Sequence, residues 1–139
     1  MILTSLYPAS HISLHVQILQ NDGGAFAAAV NALTLALQNA GIPMRDMLCA
    51  CSVGLGDTTP LLDLNFSERS SDTPELVCAS MTHSNKVVML QEENKLNLTQ
   101  LQDMMEIALE GNQKIFQILK TETKSYSEAI LRSRGMLNA

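Results

Sequence analysis

Apolar and polar residues alternate near the start of the chain. Over residues 12–18 the apolar positions are Ile12, Leu14, Val16 and Ile18, with Ser13, His15 and Gln17 between them. Successive side chains of a strand point to opposite faces of a sheet, so this period of two predicts a strand with one buried face. The polar stretch QNDGG, residues 20–24, ends it.

A helix rich in small residues is predicted next, over the stretch AFAAAVNALTLALQNAG. Asp22 places a negative charge where it favours a helix N-terminus, and Gly41 is a natural C-cap. The alanines allow this helix to approach a sheet closely.

Four strand patterns and a second helix follow. The stretch MLCACSVGL predicts a buried strand, residues 59–64 predict a short one, and ELVCASMT and KVVMLQ predict two strands around a hairpin turn at HSN. Beyond Leu98, apolar residues at helical spacing predict an amphipathic helix to about Lys124 or beyond, with Thr99 as a candidate cap. The predicted order is β-α-β-β-β-β-α, an α+β fold with the helices on one face of the sheet.

The composition fits one globular domain over residues 1–139. Hydrophobic residues make up 46% of the chain and charged residues 17%, and eight methionines add adaptable apolar volume. The chain begins almost directly in the first predicted strand, without a hairpin partner for it. This abrupt start predicts a domain that is incomplete at its N-terminus.

The charge is negative overall but unevenly distributed. A net charge of −5 and a pI near 5.0 indicate no overall attraction to a polyanion. Five of the nine basic residues nevertheless lie near the C-terminus, namely Lys114, Lys120, Lys124, Arg132 and Arg134. They predict either a solvated helix face or a small patch that faces nucleic acid or an acidic partner. Lys114, Lys120 and Lys124 are the candidate RNA contacts.

The cysteines and hydrophobic runs narrow the class of protein. Cys49, Cys51 and Cys78 are an odd number without a secretory signature, which favours a reducing compartment. Cys49 and Cys51 have the spacing of a metal-binding pair, but no second pair accompanies them, so core cysteines are predicted. No run reaches membrane-spanning length, and no membrane partner is expected.

The turn DGGAF, residues 22–26, is a candidate anion site. Gly23 and Gly24 precede a helix N-terminus, where unpaired backbone N–H groups favour an anion. Ala25 and Phe26 offer neither a hydroxyl nor a guanidinium to a bound phosphate, which weakens the prediction.

Three acids, Asp57, Asp63 and Glu68, offer oxygen ligands for Mg²⁺. Asp57 follows Gly56 in a predicted turn, where aspartate is also favoured for local hydrogen bonds. Asp63 lies in a predicted apolar strand, where an unpaired carboxylate is costly, and Arg69 is its candidate ion-pair partner. Such a pair would satisfy the acid and exclude a divalent cation.

The stretch QNDGGAFAAAVNALTLALQNAGIPMRDMLCACSVGLGDTTPLLDLN resembles the RNase PH family. The DGG turn, the helix that ends in AGIPMRD, the strand CACSVGL and the stretch DTTPLLDLN follow one another in the family's order, and the resemblance extends over essentially the whole chain. It implies an RNase PH-like fold, similar to the second domain of ribosomal protein S5, without the strands and helix that come first in the family.

The resemblance also implies a degenerate site for phosphorolysis. Active members hold phosphate through a threonine or serine followed by an arginine after the two glycines, and these positions are Ala25 and Phe26 here. They hold a metal ion with two aspartates six residues apart, of which Asp63 matches the first and Arg69 occupies the second. It follows that no catalytic set is intact, and no metal or other cofactor is expected.

The function that the resemblance implies is that of a non-catalytic ring subunit of the RNA exosome. The expected partners are other RNase PH-like ring subunits, cap proteins and the RNA in the assembled channel, in nucleus, nucleolus and cytoplasm. One alternative is a phosphate-dependent 3′–5′ exoribonuclease whose missing ligands come from a partner subunit. Another is a product without a stable function, because a sheet that lacks strands exposes an edge prone to aggregation.

Overall fold

The computed structural model describes residues 1–56, 59–69 and 72–136. Its regular elements are α1 (Ala25–Asn39), β1 (Leu48–Gly56), β2 (Thr59–Leu62), β3 (Glu75–Met81), β4 (Val87–Glu93) and α2 (Leu98–Ser133), preceded by a 3₁₀ turn at Thr4–Leu6. None of the described helices is long and apolar enough to cross a membrane.

The four strands form an antiparallel sheet in the order β2-β1-β3-β4. Cys51 of β1 is the register partner of Cys78 of β3, and Glu75 of β3 is that of Glu93 of β4. β2 pairs with β1 only over the final part of that strand, from Val53 onward. The predicted α+β class and its four later strands are confirmed.

The strand predicted over residues 12–18 does not form. These residues have no regular secondary structure, and Leu14, Val16 and Ile18 are 45%, 45% and 57% exposed. A strand needs a neighbour to take up its backbone N–H and C=O groups, and none of the four described strands pairs with this segment. Alternation shows which residues suit a strand, but a pairing partner is needed to form one.

The two helices lie on opposite faces of the sheet, which corrects the expectation that they share one. Ala27 of α1 belongs to a core cluster with Ala50 of β1. Met104 of α2 belongs to a second cluster with Cys51 of β1. Because neighbouring residues of a strand point to opposite faces, Ala50 and Cys51 assign the helices to different faces.

α1 also covers the part of β1 that β2 leaves unpaired. Asn31 Nδ2 donates to the Ala50 carbonyl at 2.8 Å, and Asn31 Oδ1 accepts from the Ala50 N–H at 2.9 Å. Thr34 Oγ1 donates to the Leu48 carbonyl at 2.9 Å. These side chains replace the hydrogen bonds of a neighbouring strand. They fix α1, and the turn before it, relative to the sheet.

The C-terminus of α1 has the cap that the sequence predicts. Gly41 adopts a φ of +70°, and the N–H of Ile42 donates to the Leu37 carbonyl at 3.0 Å. This is the Schellman arrangement, in which a left-handed glycine ends a helix.

The N-cap residue of α2 is Asn97, and not Thr99 as predicted. Asn97 Oδ1 accepts from the Gln100 N–H at 2.8 Å, and Gln100 Oε1 accepts from the Asn97 N–H at 3.1 Å. This reciprocal capping box, rather than Thr99, satisfies the helix N-terminus. The helix continues to Ser133, beyond Lys124.

Candidate functional site

The turn at residues 22–26, called the glycine turn below, lies against Asp63. Gly24 is the N-cap residue of α1, and no side chain of the described residues caps the helix there. A Cβ atom on Gly24 would lie 2.4 Å from Asp63 Oδ1, so a residue with a side chain would displace the carboxylate. The two parts of the site suggested by the sequence are therefore adjacent.

Asp22, predicted to favour the N-terminus of α1, makes its hydrogen bonds elsewhere. The N–H of Phe66 donates to the Asp22 carbonyl at 3.0 Å and to Asp22 Oδ1 at 3.3 Å. Gly23 N–H donates to Asn21 Oδ1 at 3.1 Å. Asp22 thus ties the glycine turn to the loop that follows Asp63.

Asp63 lies just beyond β2, which ends at Leu62, and not inside a strand as predicted. Its side chain is exposed. Its N–H donates to the Ser52 carbonyl at 2.9 Å, and Ser52 Oγ donates to Asp63 Oδ1 at 3.4 Å. The cost of a carboxylate buried among leucines does not arise, so Asp63 has no need of a cation.

Arg69 pairs with two glutamates, and the predicted Asp63–Arg69 ion pair is wrong. Arg69 Nη2 donates to Glu93 Oε2 at 2.6 Å and lies 2.8 Å from Glu75 Oε2. The Glu75 side chain is 9% exposed, and its Oε2 has no aligned hydrogen-bond donor among the described residues. The Glu75 contact is therefore an ion pair by distance without hydrogen-bond geometry. Like charges opposite each other on paired strands repel, and the guanidinium relieves that repulsion.

The side chains at this site do not suit a divalent metal ion. At position 69, which the resemblance assigns to a second aspartate, Arg69 offers a cation that is already bound to two other carboxylates. Glu68 Oε2 accepts from the Asn65 N–H at 3.0 Å, which commits this candidate ligand to a local turn. Within residues 1–56, 59–69 and 72–136, no three His, Cys, Asp or Glu side chains are grouped to hold a metal. Asp57 lies outside the described residues.

The cleft at the start of α1 does not suit a phosphate. Its volume is about 110 Å³, and its lining includes Gly24, Ala25, Phe26, Arg69, Glu75, Gln91 and Glu93. Backbone N–H groups at a helix N-terminus attract an anion. Here, however, two carboxylates border the same cleft and already engage its guanidinium, so a phosphate would meet like charge.

Lys114 is the candidate RNA contact nearest the glycine turn. It lines a cavity of about 360 Å³ together with Gly24 and Asp63. Its Nζ lies 2.7 Å from Glu110 Oε1, one helical turn earlier. This hydrogen bond holds the pKa of the exposed Glu110 carboxyl below its usual value.

Lys120 and Lys124 lie in different surroundings from Lys114. Lys120 Nζ is 5.9 Å from the centroid of the Phe116 ring, and Lys124 Nζ is 4.0 Å from Glu128 Oε1. At about 100° per residue, six positions separate Lys114 from Lys120 by about 120° around the helix. The three lysines therefore do not share one face of α2.

All three cysteines are core residues, as was predicted for Cys49 and Cys51. Cys49, Cys51 and Cys78 are buried and form no disulfide. Burial raises the pKa of Cys51 to about 12 and that of Cys49 to about 11. The thiolate that would bind a metal or attack a substrate is therefore scarce near neutral pH.

A polar cluster around Asp46, at the other end of β3, is absent from the predictions above. Asp46 accepts hydrogen bonds from His83 Nδ1 at 2.8 Å, the His83 N–H at 3.1 Å, Thr82 Oγ1 at 3.2 Å and the Ser84 N–H at 3.4 Å. Burial acts to raise the pKa of Asp46, but the hydrogen bonds from His83, Thr82 and Ser84 together outweigh it and lower the pKa. The sequence signal was an acid directly before a buried strand, together with the polar HSN turn.

Two family profiles and several known proteins match this chain. The profile of the 3′ exoribonuclease family, domain 1, matches residues 1–43, and that of domain 2 matches residues 46–111. Exosome complex component RRP41 of Mus musculus is 39% identical over 134 residues, which are 96% of this chain and 55% of the mouse protein. The RRP41 homolog of Arabidopsis thaliana is 41% identical over 127 residues, 88% of this chain and 53% of the plant protein. The chain thus spans about half the length of these relatives.

A solved structure supports the same fold. The crystal structure of rice (Oryza sativa) Rrp46 superposes with a TM-score of 0.72 at 23% identity, over 78% of this chain and 52% of the rice chain. This likeness concerns the fold alone. Because the two family profiles match in succession over most of the sequence, the chain belongs to the RNase PH, or 3′ exoribonuclease, family.

Proposed function

We propose that this chain is a non-catalytic RNase PH-like ring subunit of the RNA exosome. Its partners are other RNase PH-like ring subunits and cap proteins, and it contributes to the channel through which RNA reaches catalytic subunits for 3′–5′ processing and degradation. The proposal includes action in nucleus, nucleolus and cytoplasm. Its basis is similarity to exosome components over 96% of this chain.

The observation that carries the non-catalytic role is the position of Arg69. The resemblance expects a second metal-binding aspartate at position 69, and the Arg69 guanidinium there is held by Glu75 and Glu93. A cation at that place repels a metal ion, and the two glutamates repel a phosphate at the helix N-terminus. Both requirements of phosphorolysis are therefore opposed by the local charges.

We further propose that residues 1–139 act as one domain and that Lys114, Lys120 and Lys124 contact RNA. α1 lies in the part that matches domain 1 of the family, yet it packs on strands from the part that matches domain 2. This packing supports a single cooperative unit. All three lysines are exposed cations on the 36-residue helix α2.

The alternative function is a phosphate-dependent 3′–5′ exoribonuclease that takes its missing ligands from a partner subunit. The contact between Gly24 and the Asp63 carboxylate favours it, because two parts of the family's site remain adjacent. In a complex reconstituted with this chain, phosphate-dependent release of nucleoside diphosphates from a 3′-labelled RNA measures this activity. Activity that Asp63→Asn abolishes and Glu68→Gln preserves would support the enzyme and overturn the non-catalytic role.

The ring role is tested by affinity purification of the tagged chain from its native cells, followed by mass spectrometry. Recovery of RNase PH-like ring subunits and cap proteins in comparable amounts is the expected result. A tagged Gly23→Ala variant, expected to be destabilised, is the control for non-specific recovery. A folded wild-type chain that recovers no exosome subunit would contradict the proposal.

A further inference from the structure

An open cleft of about 400 Å³ lies at the hairpin between β3 and β4, far along the sheet from the glycine turn. It is lined by Arg45, Asp46, Met81, His83, Ser84 and Lys86 and is called the hairpin cleft below. Two of these six side chains are cations and a third is an imidazole, although the chain as a whole has a net charge of −5.

The hairpin cleft is rigidly built. The N–H of Thr82 donates to the Met47 carbonyl at 3.1 Å, which holds the segment before β1 against the hairpin turn. Asp46 reinforces this link through its hydrogen bonds from His83, Thr82 and Ser84. These hydrogen bonds hold together the two backbone segments that carry Arg45 and Lys86.

The carboxylate of Asp46 offsets only part of the positive charge of the hairpin cleft. The Asp46 side chain is 7% exposed, and its oxygens accept hydrogen bonds from the turn that it holds. Arg45 and Lys86 are exposed, and neither has an ion-pair partner among the described residues. The hairpin cleft therefore has two exposed cations and one largely buried carboxylate, which leaves it with a net positive charge.

An aromatic ring lies beside these cations. The His83 side chain is 75% exposed, and its ring packs edge to face on Phe116, with centroids 5.5 Å apart and an interplanar angle of 72°. Lys120 Nζ is 5.9 Å from the centroid of the same Phe116 ring. Phe116 supports the His83 ring from behind, and Lys120 extends the positive surface from the hairpin cleft onto α2.

We propose that the hairpin cleft binds single-stranded RNA, with Arg45 and Lys86 on successive phosphates and the His83 ring stacked on a base. Arginine matches phosphate oxygens with a planar fork, and single strands are commonly held by cations together with stacking side chains. An acidic peptide would use the two cations but leave the exposed ring without a role. The choice of RNA as the anion rests on the proposed exosome function.

The test is the affinity of the full chain for a fluorescein-labelled single-stranded 12-nucleotide RNA, measured by anisotropy as a function of salt. We expect the double variant Arg45→Gln, Lys86→Gln to raise Kd about tenfold or more at low salt and to reduce the salt slope by about 1.4, the value for two lost phosphate contacts. We expect His83→Ala to raise Kd about fivefold or more with a smaller change of slope. The matched control is Lys95→Gln, Arg132→Gln, which removes the same charge at exposed positions elsewhere.

Each outcome decides the proposal. Equal weakening in both double variants would mean general electrostatic attraction, and tighter binding of a polyglutamate peptide than of the RNA would mean an acidic partner, so either result overturns it. Thermal melts of the four proteins exclude loss of fold as the cause of weak binding.

Affinity purification separates this proposal from the ring role. A chain that recovers exosome subunits but whose double variant binds RNA normally refutes the cleft alone, whereas selective RNA binding without exosome subunits supports the cleft and refutes the ring role.

Discussion

Acidic residues outnumber the basic one at the start of β3, whereas basic residues outnumber the acidic one at its end. At the start of the strand, Glu75 and its neighbour Glu93 share one cation, Arg69, so the basic residue is fully engaged by acids. At its end, Asp46 is engaged by hydrogen-bond donors of the hairpin turn, and neither Arg45 nor Lys86 has an ion-pair partner in the part of the chain that the structure describes. Burial is nearly the same at the two ends, since the Glu75 side chain is 9% exposed and the Asp46 side chain 7%. A carboxylate that loses water must find a cation or N–H and O–H donors. Which kind of partner it finds determines the charge that the surface presents.

The largest expected effect on stability comes from adding a side chain at Gly23, where the glycine turn packs against the backbone of Leu64. Gly23 has a φ of +106°, and a Cβ atom there would lie 2.1 Å from the Leu64 carbonyl oxygen. We expect Gly23→Ala to lower the free energy of unfolding by about 3 kcal/mol or more, since both backbone strain and a backbone overlap oppose it. Urea unfolding followed by circular dichroism measures the change.

Gly41 provides the matched control for that substitution. It also has a positive φ, +70°, but a Cβ atom there would meet nothing within 4 Å. Gly41→Ala should therefore lose only about 1 kcal/mol, the cost of a left-handed alanine. Equal losses at the two glycines would show that the contact with Leu64 is not what fixes the glycine turn.

The second effect comes from removing the cation at the start of β3. Arg69→Ala leaves the Glu75 side chain, 9% exposed, opposite the Glu93 carboxylate without compensation. We expect a loss of about 2 kcal/mol, below the cost of breaking a fully buried pair because Arg69 itself is partly exposed. Adding Glu93→Gln to Arg69→Ala should recover about half of the loss by relieving the repulsion. No recovery in the double variant would contradict the explanation that Arg69 pairs with the two glutamates because it relieves their repulsion.

The third effect concerns the acid at the other end of β3 and depends on pH. The pKa of Asp46 lies below its ordinary value of 3.8 in the folded chain. Its charge therefore stabilises the fold above the unfolded pKa, and this contribution is lost as the pH falls through the lower, folded value. We expect Asp46→Asn to cost about 1 kcal/mol at pH 7 and about the same at pH 5.

Urea unfolding of both proteins at pH 7, pH 5 and pH 3 measures that difference. It should shrink only below about pH 4, where the carboxyl of the unfolded chain takes up its proton. Asp22→Asn is the control, since its carboxylate accepts one long bond of 3.3 Å from Phe66. A wild-type advantage that grows toward low pH would show that the hydrogen bonds around Asp46 do not favour its charged form.

The sequence predicted what local spacing decides. The apolar periods that predict α1, α2 and four strands act within a few residues of one another, and the cap at Gly41 is equally local. The first strand failed because its formation depends on a second strand, which the pattern of residues 12–18 cannot supply. The prediction that both helices lie on one face of the sheet was wrong, because periodicity identifies the buried stripe of a helix and not the side of the sheet on which that stripe packs.

The candidate site was predicted in part for the same reason. The contact of the glycine turn with Asp63 agrees with the order of the motifs. Ala25, Phe26 and Arg69, which the resemblance marks as departures from the family's pattern, are readable in the sequence. The partners of Arg69 were not, because Glu75 and Glu93 become neighbours only through the pairing of β3 with β4. The bond between Asp46 and His83 joins residues 37 positions apart, and no local pattern connects them.

The smallest expected effect sharpens the comparison on α2 itself. Lys120 lies over Phe116, which supports the His83 ring, whereas the ammonium of Lys114 is held by Glu110 on another side of the helix. We expect Lys120→Ala to weaken binding of the 12-nucleotide RNA about twofold, as one exposed charge near the strand is lost, and Lys114→Ala to weaken it less. Anisotropy titrations at 50 mM and 150 mM salt measure both. A larger loss of affinity with Lys114→Ala would place the RNA beside the glycine turn, although the carboxylates of Asp63, Glu75 and Glu93 repel it there. That result would contradict the assignment of the RNA to the hairpin cleft at the other end of β3.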